Sequence, residues 1–167
     1  MESCAWWCEV SDTVIMACDI GLKRIGIAIL LEGIILPLSA IMRKNKHQAA
    51  NELDTLLTQR GVQILIVGMP HLSGVQTSNE VGTIFEVGEF STDEAIKRTQ
   101  MRIWHFIKAL HFRGEIYFVN EDYSSKQGFE NLAHLKQKNR QNAQKDGRLD
   151  SLSACEILES FLHAQKP

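Results

Sequence analysis

Three acidic positions stand where the local chain would give a carboxylate something to do. Asp19 closes the apolar run Val14 to Cys18, with Gly21, Lys23, Arg24 and Gly26 following before a second apolar run to Leu31. Apolar runs of this length bounded by turn signals read as buried strands, so the stretch is expected to be a hairpin with Asp19 at its bend. A lone acid at the end of a buried strand is costly unless it is paired or coordinates a cation. The competing reading is that Asp19 caps the turn through its own backbone. Gly21 and Gly26 would let the chain bend sharply and approach a ligand closely. The second acidic position is Glu121, in Asn120-Glu121-Asp122-Tyr123-Ser124-Ser125, directly after an apolar run. Asp122, Ser124 and Ser125 are also residue types that cap a following helix. The third is Asp150, at the entry to the last amphipathic segment, where an aspartate is by default a cap or a partner of the helix dipole. Asp146, four residues earlier, is a secondary candidate.

The elements that must position these residues follow from hydrophobic spacing. Glu32-Gly33 is a tight-turn signal leading into a third strand, Ile34 to Met42, whose Pro37 favours a sheet edge. Asn45 can cap a helix carrying Ala49, Ala50, Leu53, Leu56 and Leu57, and Gly61 can stop it. Gln63 to Val67 is an unbroken apolar run suited to a central strand covered on both faces. Residues 75–90 lose the pattern and read as a long loop. Ser91 with Glu94 spells a capping box for a helix with Ile96, Ile103, Phe106, Ile107 and Leu110 on one face, and with Lys97, Arg98 and Arg102 in solvent. Glu115 to Val119 is the fifth strand. Ser124 with Gln127 opens a further helix through Leu135, and the last helix runs from about Leu149 to His163. The order β-β-β-α-β-α-β-α-α describes an antiparallel meander followed by crossover units. This is an α/β domain of RNase H-like topology with a mixed five-stranded sheet. Residues 1–15 read as an extra N-terminal segment outside the fold, and residues 16–167 as a single domain.

The run Asp19-Ile20-Gly21-Leu22-Lys23-Arg24-Ile25-Gly26 resembles the first hairpin of the YqgF family. Members of this family are bacterial RNase H-like proteins described as Holliday junction resolvases and as nucleases that mature the 5′ end of pre-16S ribosomal RNA. Three later stretches match in the same order. Val67-Gly68-Met69-Pro70 is similar to the family's V-G-x-P turn, which would give Gly68 and Pro70 a supporting role. Residues Asn120 to Ser125 resemble its D-E-R-x-S/T-T motif, with Glu121 on the glutamate and Ser124 and Ser125 on the hydroxyl positions. Lys145-Asp146-Gly147-Arg148-Leu149-Asp150-Ser151-Leu152-Ser153-Ala154 is similar to the family's K-x-D-S-x-x-A entry into the last helix, with Asp150 on the acid. Asn120 in place of an acid and Asp122 in place of the arginine are departures, so no role of that arginine carries over. The resemblance spans Met16 to Leu162. It implies that Asp19, Glu121 and Asp150 are catalytic and hold metal. Hard carboxylate oxygens suit Mg²⁺ or Mn²⁺, which can activate water for phosphodiester cleavage without any histidine or cysteine.

Composition narrows the partners. The chain of 167 residues is 44% apolar and 23% charged with a formal net charge of −2, so attraction to nucleic acid must come from local patches. One such patch is Lys136, Lys138, Arg140, Lys145 and Arg148, with Asp146 as the one acid between them; Lys23 and Arg24, and then Arg43, Lys44 and Lys46, would extend it. It reads equally as phosphate-binding chain and as solvated loop. The expected partner is pre-ribosomal RNA or branched DNA. No membrane is expected, and the assembly is a monomer or a homodimer. The irregular placement of Cys4, Cys8, Cys18 and Cys155 fits a reducing cytoplasm. Two rivals are an actin-like ATPase, which would share the first hairpin, and a non-catalytic module that binds nucleic acid or a transcription factor.

Overall fold

The computed structural model describes residues 12–70, 75–78, 91–120 and 148–164, with the backbone alone at 75–78 and 148–150. Strand β1 (Ile15–Ile20) lies at the centre, antiparallel to β2 (Arg24–Leu31) and parallel to β4 (Ile64–Met69). Ile15 to Cys18 are fully buried, as a strand covered on both faces requires. The turn to β3 (Ile34–Met42) has positive φ at both Glu32 (51°) and Gly33 (79°), the twist a two-residue hairpin needs. Helix α1 (Lys46–Gln59) begins with a reciprocal capping box between Asn45 and Gln48, and Gly61 at φ 62° lets the chain leave it. Strand β5 (Val75–Ser78), helix α2 (Glu94–Lys108), strand β6 (Glu115–Asn120) and helix α3 (Arg148–Ala164) complete the described chain.

The sheet has six strands in the order β3-β2-β1-β4-β6-β5. A meander of three antiparallel strands followed by parallel crossover strands is the RNase H-like arrangement expected from the sequence. Strand β3 is an edge, as Pro37 suggested. The sixth strand is new: Val75–Ser78 pairs antiparallel with β6 where the sequence reads as loop. Four residues carry too short a pattern to be seen, and the pairing is supplied by the open edge of β6.

Alternating residues divide the core. Met16, Cys18, Ile20, Val67, Met69 and Phe118 face α1 and α2 with Leu53, Leu57, Ile103 and Phe106. Ile15, Ala17, Ala28, Ile66 and Val119 face α3 with Ala154, Ile157, Leu158 and Phe161. Each fully buried large side chain adds about 1.5–3 kcal/mol, so both layers matter to stability. Three sequence expectations change. Ile15, assigned to the extra segment, opens β1 and is fully buried, while the Val14 carbonyl accepts from Gln63 N–H at 3.0 Å. Asp93, rather than Ser91, caps α2, accepting from Ala95 and Ile96 N–H at 3.0 and 3.2 Å, while the Ser91 hydroxyl accepts from Asp93 N–H. Arg102, expected in solvent, is half-buried. The helix expected from Ser124 lies outside the described residues.

Candidate functional site

Parallel pairing puts the C-terminal ends of β1, β4 and β6 at one edge of the sheet, with Met69 level with Asn120. Asp19 sits at this edge, half-buried, one residue before the end of β1. Strand alternation gives it the face of Ile15 and Ala17, which is the face covered by α3. Directly opposite on β2 is Gly26, and one step past the Cys18–Val67 pair on β4 is Gly68. The nearest position on each flanking strand therefore carries no side chain. Glycine at both positions lets the flanking backbones come close to whatever the carboxylate holds.

The start of α3 is tied to the same level. Between Ile25 and Ile27 the β2–β3 register shifts, with Ile25 opposite Ile41 but Ile27 opposite Leu38. The Ser151 hydroxyl fills this break, donating to the Leu38 carbonyl at 2.6 Å and accepting from Ile27 N–H at 3.4 Å. Ser151 is fully buried and follows Asp150 directly. The backbone of Asp150 is thus fixed beside the strand that holds Gly26. Bulges are common next to active sites because they re-aim the chain. Neither the bulge nor the bridging role of Ser151 was legible in sequence, where the motif match singled out Asp150 and gave Ser151 no role of its own.

The other expected site residues divide sharply. Gly21 is needed for the bend itself: its N–H bonds to the Arg24 carbonyl at 2.9 Å, and a Cβ would come within 2.7 Å of that oxygen. Lys23 is exposed at the hairpin tip and Arg24, half-buried, opens β2. Pro70 follows β4, and its carbonyl accepts from Gln100 Nε2 at 2.9 Å. Arg148 begins α3. Glu121, Ser124, Ser125, Lys136, Lys138, Arg140 and Lys145 lie outside the described residues. Among the described residues no group of three or more histidine, cysteine or acidic side chains gathers as a metal site.

Arg43 is a further occupant of this edge. Its Nη1 donates to the Gly21 carbonyl at 3.0 Å and its backbone N–H to the Lys23 carbonyl at 2.8 Å. Its guanidinium carbon lies 5.2 Å from the centre of the Phe106 ring. Burial, then the nearby charge of Arg102, lowers its pKa from the ordinary value. This arrangement bolts the tip of the first hairpin to the end of β3 and to α2.

Comparison with known proteins finds relatives along most of the chain. A "Putative pre-16S rRNA nuclease" from Helicobacter pylori (strain Shi470) is 50% identical over 148 residues, covering 89% of this chain and 94% of the relative. The protein of the same name from Helicobacter hepaticus (strain ATCC 51449 / 3B1) is 49% identical over 152 residues, covering 91% and 96%. Among solved structures, the fowlpox virus Holliday junction resolvase aligns at a TM-score of 0.48 and 14% identity, covering 91% of this chain and 99% of that one, a likeness too faint to bear on function. Residues 13–164 match the profile of the RuvX family, described as Holliday junction resolvase, and the chain belongs to that family.

Proposed function

We propose that this protein is a metal-dependent nuclease that hydrolyses phosphodiester bonds in structured nucleic acid, acting foremost in 5′-end processing of pre-16S ribosomal RNA. One observation carries the reading. A half-buried carboxylate stands one residue before the end of the central strand between two glycines, on the face covered by α3, whose first turn includes Asp150. Both are hard oxygen donors, which fit Mg²⁺ or Mn²⁺. Asp19 and Asp150 would hold the metal together with Glu121, which keeps the alternate-residue step of Tyr117 and Val119 in the sequence. When bound, the metal supplies an acidified water and offsets charge on the phosphate oxygens. The chain's own work is to fix the carboxylates and, through Ser151 and the bulge, their separation. Gly26 and Gly68 leave the approach open for the sugar-phosphate backbone.

The relatives are named for one substrate and the family for another, so the family description favours a second reading, resolution of four-way DNA junctions. Labelled pre-16S RNA, single-stranded RNA and four-way junctions, each incubated with Mn²⁺ and with EDTA, separate the two. The expected result is Mn²⁺-dependent cleavage, strongest on pre-16S RNA. Binding without cleavage under every metal condition would leave a nucleic-acid-binding module instead.

A further inference from the structure

Asp19 lies on one face of the sheet edge, and two arginines, Arg43 after β3 and Arg102 on α2, lie on the side of the other face. Arg43 follows β3 and shares the face of Ile41, which packs toward α1 and α2. Arg102 and Phe106 are one turn apart on α2, and Arg43 lies over the Phe106 ring, so the two guanidinium groups are neighbours. Two like charges in a half-buried setting repel and lose hydration, which is unfavourable without a counter-charge. Among the described residues neither forms an ion pair, and the buried Nε of Arg102 has no hydrogen-bond partner. Buried donors without partners cost about 1–3 kcal/mol each, and a counter-charge at the guanidinium groups would offset part of that cost. Guanidinium groups offer forked donors matched to phosphate oxygens. The backbone around them is held firmly, by Arg43 on the Gly21 carbonyl and by Gln100, two residues before Arg102, on the Pro70 carbonyl.

We propose that Arg43 and Arg102 form an anion subsite that takes a backbone phosphate of the nucleic-acid substrate, across the sheet edge from Asp19. The identity of the anion's carrier rests on the nuclease reading; the subsite itself does not. A strand passing over the ends of β1 and β4 would set one phosphate at the carboxylates and another at the arginines. Such a contact positions the substrate and reads no sequence.

Thermal melting in EDTA with inorganic phosphate, against chloride at matched ionic strength, tests the subsite without any nuclease activity. The wild-type protein should gain a saturable rise in melting temperature that Arg102→Gln loses and Arg102→Lys keeps in part. Arg43→Gln should lose it too; because Arg43 also holds the Gly21 carbonyl, Arg102→Gln decides the matter should Arg43→Gln fail to fold. An equal phosphate response in wild type and Arg102→Gln overturns the subsite. Binding of labelled RNA across a salt series then tests the carrier. The slope of log affinity against log salt should flatten by roughly 0.7 to 0.9 per lost phosphate contact. An unchanged slope overturns the assignment to nucleic acid. Stabilisation by Mn²⁺ should be the same in wild type and Arg102→Gln. A phosphate response lost in Arg102→Gln, in a protein that cuts nothing, would sink the nuclease reading and leave the anion subsite standing.

Discussion

The two ends of the parallel strands are held by different kinds of bond. At the N-terminal end of β1, β4 and β6, backbone meets backbone: Gln63 N–H bonds to the Val14 carbonyl at 3.0 Å and Glu115 N–H to the Gln63 carbonyl at 3.1 Å. Gly114 is packed so tightly that a Cβ would stand 2.3 Å from the Gln63 carbonyl oxygen. Nearby segments are joined by Asp54, which accepts from the His111 backbone N–H at 3.0 Å. At the C-terminal end, side chains reach into the backbone from separate elements: Ser151 to Leu38, Arg43 to Gly21, Gln100 to Pro70. Asp19 and two neighbouring arginines remain half-buried there. The first end closes the sheet mainly through backbone bonds, with the Asp54 carboxylate bracing the chain before β6. The second holds charged groups half-buried, and it is the end at which we propose the site.

The contrast can be broken most strongly at Asp19. Asp19→Asn should lower cleavage by more than the roughly 10–100-fold that loss of a group supporting a metal ligand costs. Its melting temperature without metal should be unchanged or higher, since one charge leaves a half-buried position. Single-turnover cleavage with a parallel melting curve reads both. Gly114→Ala should do the reverse. Overpacking against a backbone oxygen costs about 1–3 kcal/mol. Chemical denaturation should show that loss, while cleavage per folded molecule stays at the wild-type level.

Ser151→Ala sharpens the comparison, because it sits at the functional end yet bridges buried backbone. Leaving the Leu38 carbonyl and the Ile27 N–H without their hydroxyl should cost about 1–3 kcal/mol. Weaker Mn²⁺ affinity should accompany that loss, by no more than the roughly 10–100-fold of a supporting group. A stability loss with unaltered metal affinity would make Ser151 purely structural. The smallest effect concerns Cys155, on the half-buried side of α3. Burial, then the charges of Glu159 and Glu156, pushes its thiol up from 9.0 to about 11. The folded protein therefore holds that proton more tightly than the unfolded chain. The stability this contributes is complete below about pH 9 and is lost as pH rises toward 11. Alkylation at pH 9.0, where an unperturbed thiol is half ionised, should be slow in the native state and fast in denaturant.

Local signals made much of this molecule readable in advance. The apolar runs of β1, β2 and β4, the Asn45 box, the Glu32-Gly33 turn and the edge position of Pro37 each depend on residues near in sequence. The position of Asp19 at a strand end was legible for the same reason. What stayed hidden depends on contacts between distant segments. Ser151 acts through Leu38 and Ile27, far earlier in the chain, at a bulge whose extra residue leaves no mark in the sequence. Arg102 looked like a solvent-facing residue because helical spacing cannot reveal that the end of β3 brings Arg43 over Phe106. Asp93 displaced Ser91 as the cap because both residue types compete within two positions and side-chain reach decides.

The proposed metal is held jointly by Asp19 and the start of α3. Melting curves of wild type, Asp19→Asn and Asp150→Asn, each titrated with Mn²⁺, test that directly. Asparagine caps a helix about as well as aspartate, so the Asp150 substitution should spare the fold. The wild type should be stabilised by Mn²⁺ according to its affinity for the native state, and each variant should lose most of that shift while melting no lower without metal. A wild-type Mn²⁺ response in either variant would contradict the shared metal site.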